Sequence, residues 1–287
     1  MDAASLIPVL CLNLPTENTT GPKNIQILDM CSAPGGKALG ICMMWNIQQN
    51  DGHLYCTDVS SDRRSRLKRT ISSYIPAHIR ENHISVLPGD GTSNTFFAQF
   101  GHNRFDRILV DAPCSSERHL IFNEKELLKW GVGRSKINAK RQVALLWNAL
   151  RLTKPGGRIV YSTCSLSPYE NDHVIEKVLL KIRKQRYPSS SNASAGRESA
   201  KHLTVVPLHA VSDMRIGGDA TKYGYHILPD VSDSWGPIYV CALDVVDGEP
   251  PFIGNNLDEQ MTMHEEDEDC DESDQATSCS FSDDYKL

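Results

Sequence analysis

Residues 24–37 read NIQILDMCSAPGGK, and this stretch decides the fold class. Ile25, Ile27, Leu28 and Met30 form a short apolar run that stops at Pro34-Gly35-Gly36. A run of that length, bounded by turn residues, reads as a buried strand. The stretch after Gly36, KALGICMMWNIQ, is helix-like, so strand, glycine turn and helix open a βαβ unit. Outward from it the alternation repeats. GHLYCTD (52–58), HISVLPGD (83–90), FDRILVDAP (105–113) and GRIVYSTC (157–164) read as further strands. SSDRRSRLKRTISSYI (60–75) follows the second strand as a helix, with Ser60 or Ser61 as its N-cap. Further helical stretches lie near 134–153 and 168–186. Strands separated by helix-length segments predict an α/β fold, a mostly parallel doubly wound sheet covered on both faces.

HLTVVPL (202–208) and WGPIYVCALDVV (235–246) read as the last two strands, closing an antiparallel hairpin at the sheet edge. YPSSSNASAGRESAK (187–201) is rich in Ser, Pro and Gly and reads as a loop insertion. The expected organisation is one catalytic domain over 1–247 and a tail over 248–287. That tail is expected to be disordered, because residues 258–287 hold 12 acids and a single base. The whole chain of 287 residues has a formal net charge of −6, but removing the tail leaves 29 bases and 24 acids in residues 1–257, a body of +5. A mildly basic body is compatible with an anionic partner such as RNA. Eleven bases against five acids lie between Arg104 and Lys154, a stretch that reads either as a solvated helix face or as a phosphate-contacting rim.

With 40% hydrophobic and 23% charged residues the composition excludes collagen-like and fibrous classes. No apolar run approaches the roughly 18–20 residues of a membrane span. The first residues, MDAASLIPVLCLNL, carry neither a basic leader nor an Arg-rich transit pattern. Nine cysteines, without a CxxC spacing, point to reduced thiols rather than to a disulfide framework or a zinc finger.

Ligands of doubly wound sheets bind outside the carboxyl ends of the strands. The residues at those ends are Asp29 with the loop Cys31–Lys37, then Asp58, Asp90, Asp111 through Cys114, and Thr163-Cys164. Each aspartate alone is equally a turn residue. Together they line a slot with acids, which repels phosphate and suits a ligand with ribose, adenine and a positive charge. Asp58 is placed for the ribose hydroxyls, and Asp90 for an exocyclic amine. S-adenosylmethionine, whose sulfonium is cationic, fits that slot, whereas a nicotinamide dinucleotide calls for a GxGxxG turn that CSAPGGK does not supply.

Two cysteines at neighbouring strand ends, Cys114 in DAPC and Cys164 in GRIVYSTC, point to thiol chemistry. Carbon 5 of cytosine is a poor nucleophile. A thiolate adding to carbon 6 makes it an enamine that attacks a sulfonium methyl, and loss of the carbon-5 proton then releases the thiolate. Asp111 is placed for the N3/N4 edge of the base.

The segments MDAASLIPVL, LDMCSAPGGK, LVDAPCSSERH, KPGGRIVYSTCSLSPYEN and WGPIYV resemble the Nop/Sun family of RNA (cytosine-5) methyltransferases, over roughly residues 2–245. Within the family the chain is most similar to the mitochondrial branch acting on small-subunit ribosomal RNA. The resemblance implies a class I S-adenosylmethionine-dependent methyltransferase fold with no metal. It implies Cys164 as nucleophile and Cys114 as the residue promoting product release; Asp111, from its place beside them, completes the catalytic candidates. It places the cofactor against Cys31, Ser32, Ala33, Pro34, Gly35, Gly36, Lys37, Asp58, Arg63, Asp90, Gly91 and Asp111. The implied partner is RNA and the implied location mitochondrial, otherwise cytoplasmic. Family members carry a substantial segment before the position of Met1, so this chain alone is expected to methylate RNA poorly without such a segment or a protein partner that docks the RNA. Two readings compete with rRNA methylation. One is a ribosome-assembly factor with secondary activity, and the other is the same chemistry on tRNA.

Overall fold

Side chains that alternate between two faces of the central strands build a three-layer sandwich. The computed structural model describes residues 3–15, 24–45, 47, 51–117, 131–186, 201–208, 217–230 and 235–248. After a 3-10 turn, the elements run α1 (Ile7–Cys11), β1 (Gln26–Asp29), α2 (Gly36–Met44), β2 (His53–Asp58), α3 (Ser61–Tyr74) and α4 (Ala77–His83). They continue as β3 (Ile84–Pro88), α5 (Asn94–Phe100), β4 (Phe105–Asp111), α6 (Val132–Leu152), β5 (Thr153–Thr163), a 3-10 turn (Pro168–Glu170) and α7 (Asp172–Arg186). The remaining strands are β6 (Lys201–Val206), β7 (Gly218–Ala220), β8 (Tyr225–Ile227) and β9 (Ile238–Asp247).

The strand order is β3-β2-β1-β4-β5-β9-β8-β7, and β6 also pairs with β9. From β3 to β5 neighbouring strands are parallel. Strand β9 then runs antiparallel to β5, with Ile159 opposite Leu243. Leu28, Ile108, Val110, Ile159 and Tyr161 face one way, against Leu145, Leu146 and Ala149 of α6 and Val174, Ile175 and Val178 of α7. Their neighbours Ile27, Leu109 and Val160 face the other way, against Ile7 and Val9 of α1, Ala38 and Ile41 of α2, and Leu67 and Ile71 of α3. Two-sided burial explains why β1 and β4 read as apolar runs rather than as alternating strands.

Local signals set the helix starts. Ser60 caps α3 by accepting from the Arg63 N–H at 3.4 Å, and Ser93 caps α5 by accepting from the Phe96 N–H at 3.1 Å. The stretch 168–186 divides into the 3-10 turn and α7 rather than forming one helix.

The edge differs from the expectation in detail. Strands β6 and β9 are antiparallel partners, with Leu203 opposite Val245, but they are not directly joined. Between them lies the β7–β8 hairpin, and β8 takes the first half of β9's outer edge, with His226 opposite Tyr239. Three-residue strands leave too short a pattern to read from sequence. Residues 187–200 and 249–287, which hold the expected insertion except its last residue and nearly all of the expected tail, lie outside the described residues; Lys201, read as the end of the insertion, instead opens β6. Those that are described belong to one unit, Met1–Glu249. No described helix is long and apolar enough to cross a membrane.

Candidate active site

Parallel pairing of β4 with β5 sets Asp111 beside Ser162, so the loops leaving both strands start level with each other. Three residues past Asp111 and two past Ser162, the sulfurs of Cys114 and Cys164 lie 3.2 Å apart. The Ser116 hydroxyl lies 2.9 Å from the Cys164 sulfur. Hydrogen bonding from Cys114 favours the thiolate of Cys164, the Ser116 hydroxyl and Lys37 ammonium add to it, and burial and Asp111 oppose it; the net is a pKa below the ordinary thiol value. Cys114, as the donor and as a buried group, is held well above that value. Of the two thiols, Cys164 is therefore the one that ionises first.

Asp111 is held on two sides. Its Oδ2 accepts from the Lys37 ammonium at 2.8 Å, and its Oδ1 from the Ser162 hydroxyl at 3.0 Å. Burial works against the Lys37 ammonium, but the Asp111 carboxylate outweighs it and raises the pKa. Lys37 and Asp111 line a cavity of about 160 Å³ together with Ser5, Asp29, Cys31, Ser32, Ala33, Pro34 and Gly36. Asp29 is fully buried, and neither of its carboxylate oxygens has a hydrogen-bond partner; nor does the Ser32 hydroxyl beside it. Burial pushes the Asp29 carboxyl up to about 7, with Asp111 adding to the rise and Ser32 and Lys37 reducing it. An orphaned buried acid beside a cavity fits a cationic ligand group, as S-adenosylmethionine carries, and does not fit a phosphate.

The two aspartates expected to hold ribose and adenine lie at and after the ends of β2 and β3. Asp58 is buried, accepts from the Ser60 N–H at 3.0 Å and faces Arg63 Nε at 3.4 Å. Arg63 also donates to the Ala33 carbonyl at 2.7 Å, so it ties the Cys31–Lys37 loop to α3. Asp90 accepts from the Thr92 N–H at 3.0 Å and the Thr92 hydroxyl at 2.7 Å. Neither Asp58 nor Asp90 lines the 160 Å³ cavity. Gly35 has φ +111, and a Cβ there would come within 3.0 Å of Leu67, so this glycine makes room for α3. At Gly91 a Cβ would meet Leu145 and Met30 at 2.7 and 2.8 Å, so that glycine too is demanded by core packing.

The family model for the 16S rRNA methyltransferase RsmB/F matches residues 14–214. The chain belongs to the RsmB/F methyltransferase family. It is 32% identical over 249 residues to a 5-cytosine rRNA methyltransferase of Bos taurus, covering 85% of this chain and 58% of that one. It is also 32% identical to a mitochondrial tRNA (cytosine(34)-C(5))-methyltransferase of Danio rerio, covering 85% and 59%. The chain thus spans under two thirds of the length of these curated relatives. Among solved structures, NSun6 from Pyrococcus horikoshii with SFG superposes with TM-score 0.59 at 22% identity, covering 85% of this chain and 52% of that one. The fold is that of S-adenosylmethionine-dependent methyltransferases.

Several residues around this RsmB/F-type site have roles that the sequence left unassigned, although Glu117, Glu170 and Asn171 lie within the family-like segments. Glu170, fully buried on the 3-10 turn, accepts from the Ser115 N–H at 3.0 Å and from Gln142 Nε2 at 2.9 Å. Gln142 also donates to the Pro113 carbonyl at 2.8 Å. Glu117 accepts from the Ser165 hydroxyl at 3.0 Å and the Leu166 N–H at 3.1 Å, which joins the two cysteine loops. Asn171 accepts from the Thr163 hydroxyl at 2.6 Å and donates to the Ser165 carbonyl at 2.9 Å. The spacing of Gln142 on the buried stripe of α6 would have marked it only as a core position.

The basic stretch between 104 and 154 divides. Arg107 donates to the Leu12 carbonyl at 2.9 Å and Lys154 pairs with Asp106 at 2.9 Å, both at the opposite end of the strands from the cysteines. Arg151 stacks over Phe97 at 3.7 Å near the far end of α6. Lys136, Lys140 and Arg141 are exposed on the first half of α6. Arg118, Lys125 and Lys129 lie outside the described residues.

Proposed function

We propose that this chain methylates carbon 5 of cytosine in RNA, through a covalent bond between Cys164 and carbon 6. The observation that carries the proposal is the Cys114–Cys164 pair at 3.2 Å beside Asp111 and Lys37. S-adenosylmethionine supplies an electrophilic methyl group when bound, and the acids at the ends of β1, β2 and β4, with Asp90 after β3, are suited to hold it. The chain does the rest. The Cys164 thiolate adds to carbon 6, which makes carbon 5 nucleophilic. Asp111, braced by Lys37 and Ser162, offers a carboxylate to the N3/N4 edge. Cys114 is the proposed base for release: once its own proton is lost to solvent, its thiolate takes the carbon-5 proton, the C–H pair re-forms the C5–C6 double bond, and the Cys164 sulfur leaves with the electrons of its bond to carbon 6.

Ribosomal RNA of the mitochondrial small subunit is the proposed substrate; the bovine relative's name supports rRNA as the class, and the zebrafish relative's name supports a mitochondrial location. A second reading, tRNA, is favoured by the name of the zebrafish relative. Among the described residues, Lys136, Lys140 and Arg141 are the exposed bases on the first half of α6, a small patch for RNA phosphates. A protein partner that adds docking surface therefore belongs to the proposal. Incubation with radiolabelled S-adenosylmethionine and total RNA, followed by mapping of the labelled base, tests all of this. Label at carbon 5 of a cytosine is expected, and label on any other atom overturns the reading.

A further inference from the structure

The loop from Ala112 to Glu117 carries a hydroxyl whose placement is unusual. Ser116 has φ +53, in the left-handed region that costs a residue with a side chain free energy. Held there, its Oγ lies 2.9 Å from the Cys164 sulfur and 3.7 Å from the Cys114 sulfur. Among the described residues this hydroxyl makes no cap or turn hydrogen bond. Its partners are the two sulfurs. Ser115, its neighbour, points the other way, into the buried network with Ser165, so the turn at Ser116 is what swings one hydroxyl out over the cysteines.

We propose that Ser116 is a catalytic residue whose hydroxyl donates to the Cys164 sulfur and holds it as the thiolate that attacks carbon 6. The inference rests on the cytosine reading given above and deepens it. For addition the Cys164 proton is lost to solvent, and the thiolate then accepts from two donors, the Cys114 thiol with its sulfur at 3.2 Å and the Ser116 hydroxyl at 2.9 Å. On addition a sulfur lone pair forms the bond to carbon 6 and the C5–C6 π pair shifts toward carbon 5. The hydroxyl keeps its proton throughout.

Other groups face the same sulfur. Lys37 on α2 favours the thiolate, and Asp111 at the end of β4 opposes it. The Glu117 and Glu170 carboxylates are occupied by the loop backbones and by Gln142. His226 on β8 reaches the Ser165 carbonyl at 3.2 Å rather than a cysteine. Lys37 is committed to Asp111 at 2.8 Å, so its charge is largely offset there. The two neutral donors, Ser116 and Cys114, are the groups aimed at the sulfur itself.

Ser116→Gly is the discriminating variant, because glycine adopts φ +53 without cost and removes the hydroxymethyl side chain while leaving the backbone turn. Each of the two cysteines lies alone on its own tryptic peptide, residues 108–118 for Cys114 and 159–177 for Cys164. Iodoacetamide labelling of the intact protein across pH, read peptide by peptide by mass spectrometry, therefore gives a separate midpoint for each. In Ser116→Gly the Cys164 midpoint should rise by about one pH unit, the effect of losing one hydrogen bond to a charged group. Melting temperature should be unchanged or raised. Methyl transfer below the midpoint should fall roughly tenfold and recover as pH rises. An unchanged Cys164 midpoint overturns the proposal, as does a loss of methyl transfer that higher pH does not restore. If the methyl label goes to an atom other than carbon 5 of cytosine while the midpoint still shifts, the cytosine reading fails and the thiolate contact stands.

Discussion

Cys114 and Cys164 are 50 residues apart in the chain and 3.2 Å apart at their sulfurs. Adjacent parallel strands cause this. Asp111 of β4 and Ser162 of β5 are register partners, so the two chains emerge side by side at the carboxyl end of the sheet. A pair so close cannot titrate independently, and the surroundings decide which sulfur carries the charge. Burial and its role as donor keep Cys114 protonated, while donation from Cys114 and Ser116 lowers Cys164.

That asymmetry makes the two cysteines fail differently. Cys164→Ala removes the thiolate that adds to carbon 6, so neither methylated RNA nor a covalent adduct should form. Cys114→Ala leaves addition possible and slows release, so a protein–RNA adduct should accumulate on denaturing gels with cofactor and RNA present. An adduct with Cys164→Ala and none with Cys114→Ala would reverse the roles.

Glu170 tests whether the cysteine loops are held from behind. Its buried carboxylate accepts from the Ser115 N–H and from Gln142 Nε2, and removing it strands both donors. Glu170→Ala should cost about 3 kcal/mol of stability. In a chain of this size that lowers the melting temperature by roughly 6–12 °C. Glu170→Gln, which keeps the shape and one acceptor, should fall between. A melting temperature unmoved by Glu170→Ala would show that the network does not support the loops.

Asp58 carries the ribose assignment. Its side chain also starts α3 through the Ser60 N–H, so Asp58→Asn is the cleaner change, since the amide oxygen can still accept that bond. Titration calorimetry with S-adenosylmethionine should show affinity falling roughly tenfold, with Asp58→Ala weaker still. Equal affinity in all three proteins would remove Asp58 from the cofactor site.

The sheet and its strand ends were legible because burial on both faces of β1, β2, β4 and β5 writes near-continuous apolar runs into the sequence. Cys114, Cys164 and Asp111 were legible because strand ends are where such sheets place chemistry. The β7–β8 hairpin was not, since three residues such as Tyr225–Ile227 are too few to show a period. Nor were Glu170 and Gln142, whose roles depend on hydrogen bonds across 28 and 55 residues of sequence separation. Ser116 hid for a different reason: a serine beside a cysteine is commonplace, and only its positive φ turns the hydroxyl toward the sulfurs.

Asp29 gives the last prediction. Its carboxyl is buried without a hydrogen bond and is pushed up to about 7, against about 3.9 for an ordinary aspartate. The folded protein therefore holds a proton on Asp29 that the unfolded chain has already lost between about pH 4 and 7. Stability from this group is fully present below about pH 4 and is lost as pH rises through about 7, a loss on the order of a few kcal/mol. Asp29→Asn should abolish that slope, so its stability by urea unfolding should equal or exceed the original at pH 8 and gain nothing at pH 5. A cationic ligand in the adjoining cavity reverses the balance, because it favours the ionised carboxylate. Affinity for S-adenosylmethionine should then tighten as pH rises from 5.5 to 7.5, with proton release seen as a buffer-dependent binding enthalpy. In Asp29→Asn both the pH dependence and the proton release should vanish. A pH-independent affinity in the original protein would place the cofactor's positive charge away from Asp29.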